Sequence, residues 1–302
     1  MKKTMISLAL AGALILVGGI LFVCTMAGLH WDFTALSTEQ YETNTYQIRE
    51  DFHSITLNTD TADIFFALSE DGQCRVVCYE ETGAKHSVAV RDGTLTIELV
   101  EDKTVSDYIR DIGLHLDAPK LTVYLPRTEY KTLTIREDTG DIRLPAPFRF
   151  EAVDIGVTTG DIVCSASSSG LLKIRTSTGD IRLENTSADT LELTVSTGDV
   201  QLSDVRCNTL RSMGNTGHIL LKNVIAGAAI SVTRTTGDVR FDGADAAAIF
   251  VETDTGDVTG SLLSDKLFLP RTDTGDIEVP QTVSGGRCEI ITSTGDIRLS
   301  VK

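Results

Sequence analysis

From residue 131 to the C-terminus, apolar and polar residues alternate. The alternation slips by one position at each copy of a short triplet. The triplet is Thr-Gly-Asp in eight copies and Thr-Gly-His in one, and "STGDIRL" occurs at both 177–183 and 293–299. Its glycines are Gly140, Gly160, Gly179, Gly198, Gly217, Gly237, Gly256, Gly275 and Gly295, spaced 19 or 20 residues apart. Seven residues before each glycine stand Leu133, Val153, Leu172, Leu191, Leu210, Ile230, Ile249, Phe268 and Cys288. Two after it stand only Ile and Val, from Ile142 to Ile297. Period-two alternation is the signature of a strand with one buried face. The apolar parity is odd before the glycine and even after it, so a bend must lie between the two runs. Glycine supplies the backbone freedom for such a corner.

A corner repeated every 19–20 residues predicts an all-β fold, a β-solenoid of about nine coils with parallel ladders between coils. Nine rungs make a rod roughly 40–45 Å long. A β-propeller needs blades of about 40 residues and fits poorly. "SITLNTDTADIFF" (54–66) carries the same code with Ala62 at the glycine position, and reads as a degenerate first coil. Residues 67–131 break the period. Within them, 87–99 predicts a hairpin turning at Asp92-Gly93, and 120–127 a further strand. The expected organisation is a β cap at 46–131, including a β-hairpin, and solenoid repeats at 132–302.

The N-terminus has a different pattern. Lys2 and Lys3 precede an uncharged run from Thr4 to Leu29, long enough to cross a bilayer and longer than a signal-peptide core. We expect a retained transmembrane anchor at 1–30, with the N-terminus cytoplasmic and the rest outside. Trp31 and Phe33 would meet the outer interface, and residues 31–45 read as a polar stalk. Cys24 follows Leu21-Phe22-Val23 and lacks the small residue expected before a lipidated cysteine.

The anchor, Leu125-Pro126 before the first full coil, and the serial Thr-Gly-Asp-Ile/Val corners resemble a bacterial family known as "putative adhesins", over roughly residues 50–302. The resemblance implies a membrane-anchored envelope protein with a β-strand repeat, and it carries no catalytic residues. Some members are linked to envelope stress, which implies a signalling component acting through protein partners as an alternative.

Charge and composition narrow the chemistry. The net charge of −16 argues against a nucleic-acid partner. Aromatic residues make up only 6%, with Trp31 the one tryptophan, which counts against a polysaccharide-cleaving groove lined by stacking rings. Stacked coils would align Asp141, Asp161, Asp180, Asp199, Asp238, Asp257, Asp276 and Asp296 about 5 Å apart. Like charges at that spacing repel by about 1 kcal/mol per pair in water. Either backbone N–H groups at the corners offset the repulsion, or the row is a ladder of cation sites such as calcium prefers. The threonines before each glycine, Thr139 to Thr294, have inward parity and would bond along the stack. His218 replaces the aspartate in one coil, beside the unusual Met213 and Gly214. Cys164 and Cys288 sit at core positions, Cys207 elsewhere in its coil. Cys74 and Cys78 share a strand face too far apart to bridge.

These readings converge on a non-enzymatic cell-envelope surface protein without a cofactor, a binding, adhesion or scaffold module on a single-pass anchor. Its partners would be an envelope protein or a glycan. A polysaccharide-cleaving β-helix enzyme is the lesser alternative. The last corner is followed by only six residues, so the C-terminal coil is expected to present an open edge for self-association.

Overall fold

The computed structural model describes residues 2–28, 30–31, 41–101 and 118–302. An apolar helix, α1 (Lys2–Gly28), opens the chain. Its Ala11–Gly28 stretch is long and apolar enough to cross a membrane. Most of the proposed stalk, residues 32–40, lies outside the described residues.

A first set of strands follows: β1 (Tyr41–Ile48), β2 (Ser54–Thr61), β3 (Asp63–Leu68), β4 (Cys74–Glu81), β5 (Ala84–Arg91), β6 (Thr94–Glu101) and β7 (Lys120–Leu125). The early coils are β8 (Glu129–Thr139), β9 (Ile142–Leu144), β10 (Arg149–Thr159), β11 (Ile162–Cys164), β12 (Ser167–Ser168), β13 (Leu171–Thr178) and β14 (Ile181–Glu184). Longer runs follow in β15 (Ser187–Thr197), β16 (Val200–Thr216), β17 (Ile219–Thr236) and β18 (Val239–Thr255). The chain closes with β19 (Val258–Leu262), β20 (Lys266–Thr274), β21 (Ile277–Glu278), β22 (Gly286–Thr294) and β23 (Ile297–Val301).

The fold is a β-solenoid. Successive coils pair in parallel and in register, so that Ile155 lies between Ile135 and Ile174, and Thr159 between Thr139 and Thr178. The alternating side chains turn into one continuous core. The isoleucines and valines two positions after each corner glycine are at most 1% exposed in every coil but one, where Ile277 is 46% exposed.

Between β16 and β17 each coil makes three paired runs, Val200–Ser203, Val205–Cys207 and Thr209–Thr216 on one side. A second corner separates the first two. It holds Asn185, Asp204, Asn223 or Gly243 in the left-handed region, with φ of 52°, 56°, 52° and 72° in four successive coils. Asn, Asp and Gly tolerate that conformation best.

Ile277 marks the most consequential departure from a simple stack. β18 pairs not with β20 but with β22, and β20 pairs with the other side of β22. Likewise β23 lies between β19 and β21. The chain steps outward past one rung, lays down the Gly275 coil at the end of the rod, and returns to fill the gap with the Gly295 coil. The C-terminal coil is therefore interior, and the self-association edge expected there does not exist on that coil. The physical reason lies in the two coils' residues. The Gly295 coil carries the full apolar code in Cys288, Ile290, Ile297 and Leu299, all buried. The Gly275 coil has Pro270 at a core position, and proline, lacking an N–H, is suited to an edge strand.

The N-terminal end shows the same device. β2 and β3 are flanked by β8 and β9 on one side and by β6 and β7 on the other. The stack then ends in antiparallel partners: β5 on β6, β4 on β7, and β1 on β4. The β5–β6 hairpin turns at Asp92-Gly93, as the sequence predicts, with φ of 49° and 70°. Positive φ at both positions is the geometry that Asp-Gly favours. β1 begins at Tyr41, so the last part of the segment read as a stalk is a strand of this cap.

Candidate functional site

The corner glycines form a single row along the rod, with φ between 129° and 156°. A Cβ on any of them would come within 2.0–2.1 Å of a carbonyl oxygen on the adjacent corner, for example Gly179 O for Gly198. Backbone conformation and close stacking both demand glycine here. Each glycine N–H from Gly140 to Gly237 donates to the threonine carbonyl of the next coil, as Gly140 does to Thr159 at 3.0 Å.

The eight aspartates lie in one row beside the glycines. Each backbone N–H at the aspartate position donates to a side-chain acceptor on the adjacent rung. Asp161 N bonds Asp141 Oδ1 at 2.9 Å, Asp180 N bonds Asp161 Oδ1 at 2.8 Å, and Asp199 N bonds Asp180 Oδ1 at 2.9 Å. The chain continues through Asp257 N to Asp238 Oδ1, Asp296 N to Asp257 Oδ1 and Asp276 N to Asp296 Oδ1. Its order repeats the inverted order of the last two coils. His218 keeps the row intact: its N–H donates to Asp199 Oδ1, and its Nδ1 accepts from Asp238 N at 3.0 Å. Every ladder aspartate but Asp276, on the end coil, thus has one carboxylate oxygen engaged by a backbone dipole, which offsets the repulsion between rungs. Arginines take some of the other oxygens, Arg182 at Asp180 (2.8 Å) and Arg298 at Asp296 (2.7 Å). The Asp276 N–H, then Arg298, hold the Asp296 carboxyl below its ordinary value. Among the described residues no three ladder carboxylates converge within 4.8 Å.

The threonine row is a correction. Thr139, Thr159 and their seven counterparts point to solvent, not inward. Two consecutive residues before each glycine face outward, so the bulge begins one position earlier than parity alone suggests. The inward hydroxyls lie three before the glycine. Thr176, Thr253, Thr292 and Thr272 donate to the corner carbonyls of Gly160, Gly237, Gly256 and Gly295 at 3.0–3.3 Å. In the Gly237 coil this position is Arg234, 2% exposed, reaching Ser212 Oγ at 3.4 Å. Ser212 and Gly214, both departures from the repeat, make room for it: a Cβ on Gly214 would fall 1.6 Å from Arg234 Nη1.

One cleft of about 570 Å³ opens on the face before the corners, near the N-terminal end. Arg136 and Arg175 line it, and both pair with Asp154, at 2.7 and 3.0 Å from its two carboxylate oxygens. Gly156 leaves the space between the two guanidinium groups open. Glu137, 3% exposed, lies at the cleft and accepts from Thr59 Oγ1 at 2.7 Å and Ala62 N at 3.0 Å. Burial pushes its carboxyl up to about 7 despite those two bonds. The lining gathers arginines and acids, and among the described residues it contains no aromatic side chain.

Comparison with known proteins bears on the fold. A "putative adhesin" from Bacteroides fragilis NCTC 9343 is 19% identical, with 74% of this chain and 97% of that one covered at a TM-score of 0.51. A "putative adhesin" from Parabacteroides merdae ATCC 43184 is 14% identical, covering 87% and 98% at a TM-score of 0.44. A "putative lipid binding protein" from Parabacteroides distasonis ATCC 8503 is 15% identical, covering 87% and 98% at 0.41. No curated protein matches the chain. The Toastrack DUF4097 family model matches residues 52–300, the whole of the cap from β2 onward and every coil of the rod, and the chain belongs to that family.

Proposed function

We propose that this chain is a non-enzymatic cell-envelope surface protein: α1 anchors it in the membrane, and the solenoid projects outward as a binding or scaffold module. The observation that carries this reading is the use made of the repeat's polar residues. Corner glycines, aspartates and inward threonines bond to neighbouring rungs. These contacts tie rung to rung and spend the repeat's polar groups on the stack itself. The adhesin-like neighbours support a surface role, and the apolar helix supports an anchor.

The cleft at Arg136, Glu137 and Arg175 is where an enzyme would differ. A sugar-cleaving site pairs a proton donor with a positioned sugar, and such sites stack the sugar on rings; this cleft has a buried acid, Glu137, and no ring among the described residues. The test is direct. Full-length protein in detergent is incubated with a panel of acidic and neutral polysaccharides, and new reducing ends are counted. The reading requires no release above that of heat-denatured protein. Release that disappears with Asp154→Asn or Glu137→Gln would establish an enzyme instead.

A further inference from the structure

Outside the repeat, the cap holds a cluster that the rod does not need. Cys78 and Glu80 are two apart on β4, so both side chains face the core, where they are 0% and 1% exposed. His86, 5% exposed, comes from β5 across a short turn. β4 pairs with β1 and β7, whereas β5 pairs with β6, so the cluster joins two separate ladders of the cap. Donor atoms of the three residues lie within 4.8 Å of one another.

Glu80 organises the group. Its Oε2 accepts from His86 N and contacts His86 Nδ1, both at 2.7 Å, and its Oε1 accepts from Asn44 Nδ2 at 2.7 Å. Tyr46 fixes the backbone of the same residue by donating to His86 O at 3.0 Å. A buried Glu–His pair alone would account for the 2.7 Å contact. It would not account for the thiol converging on the pair, nor for His86 Nε2, which is buried without a hydrogen-bond partner among the described residues. Buried imidazole nitrogens are normally satisfied.

We propose that Cys78, Glu80 and His86 form a binding site for a thiophilic divalent metal ion, zinc in the first instance, that ties together the two ladders of the cap. One sulfur, one nitrogen and one oxygen donor make a set that zinc accepts in tetrahedral geometry, with a fourth position for water or a neighbouring amide oxygen. Binding forms the metal–sulfur bond and releases the thiol proton to solvent, while the imidazole keeps one proton on the nitrogen not bound to metal. The carboxylate and thiolate together neutralise the dication, which suits an interior position. The site rests on the cap alone and is independent of the rod's proposed surface role.

Cobalt reports the site best, because a thiolate–cobalt bond gives a charge-transfer band in the near ultraviolet. Full-length protein in detergent, stripped with chelator, is titrated with Co2+ and then with Zn2+. We expect one equivalent bound, the charge-transfer band, its displacement by Zn2+, and a higher melting temperature in saturating Zn2+. Cys78→Ser should abolish the band, and His86→Gln should weaken Co2+ binding at least tenfold. Cys74→Ser alters another buried thiol on the same strand face and should keep the band. If the unaltered protein shows no thiolate–cobalt band, or if Cys78→Ser retains it, the proposal is wrong, whatever the stability of the variants.

Discussion

At the scale of single residues, the corner is governed by a steric limit. Gly198 has φ 145°, and a Cβ there would lie 2.0 Å from Gly179 O. Gly198→Ala should therefore cost roughly 3 kcal/mol or more, through strain and a forced separation of rungs. Gly156→Ala is the matched control, since its Cβ would meet only arginine side chains at 3.6 Å and beyond. Equal melting temperatures for the two variants would contradict the steric account. Ala62 stands at the same position at the N-terminal end of the row, with Gly140 stacked on it. Glu137 gives a pH-dependent signature. Its folded value of about 7 lies above the ordinary 4.5, so the folded state holds the proton more tightly. The stabilisation is complete below about 4.5 and is lost as pH rises through 7, on the order of 3 kcal/mol. Glu137→Gln keeps an acceptor for Ala62 N and cannot ionise. The parent's melting temperature should therefore fall relative to the variant's between pH 5 and pH 8. A constant difference would show that Glu137 does not titrate there.

At the scale of elements, the strands and the first corner are legible in the sequence because one burial pattern is written nine times. The second corner left a weaker trace, Asn185, Asp204, Asn223 and Gly243, in only four coils. The orientation of the threonines was not legible, since parity locates a slip without saying which of two adjacent positions absorbs it. Coil order was hidden for a deeper reason. Every coil presents the same apolar face to its neighbours, so the repeat code does not specify which coil stacks on which. Pro270 is the one residue that points to its coil as an edge. The cap cluster was half visible: Cys78 was placed on a face, but the contact with His86 depends on how β4 and β5 diverge after their turn. Cross-linking tests the inverted order. Thr255 pairs with Thr294, and Thr294 with Thr274, all three side chains being exposed. Neighbouring rungs lie about 4.8 Å apart and alternate rungs about twice that, beyond disulfide reach. Oxidation should join cysteines placed at Thr255 and Thr294, and leave a pair at Thr255 and Thr274 free. The opposite outcome would restore sequential stacking.

At the scale of the whole molecule, the solenoid is closed at one end by antiparallel strands and ends at the other in a coil with exposed Leu267, Leu269 and Ile277. Pro270 and the charged Arg271 and Asp273 blunt that edge, which is how natural sheets avoid uncontrolled pairing. In the proposed function, α1 inserts in the membrane and the rod reaches outward. The central claim is therefore one of topology, and external proteolysis of intact cells tests it most directly. The account expects protease to digest the 41–302 region while the cells stay sealed, and a fragment containing Lys2–Gly28 to remain in the membrane fraction. Protection of 41–302 until the cells are lysed, or recovery of a soluble rod already lacking residues 2–28, would contradict it.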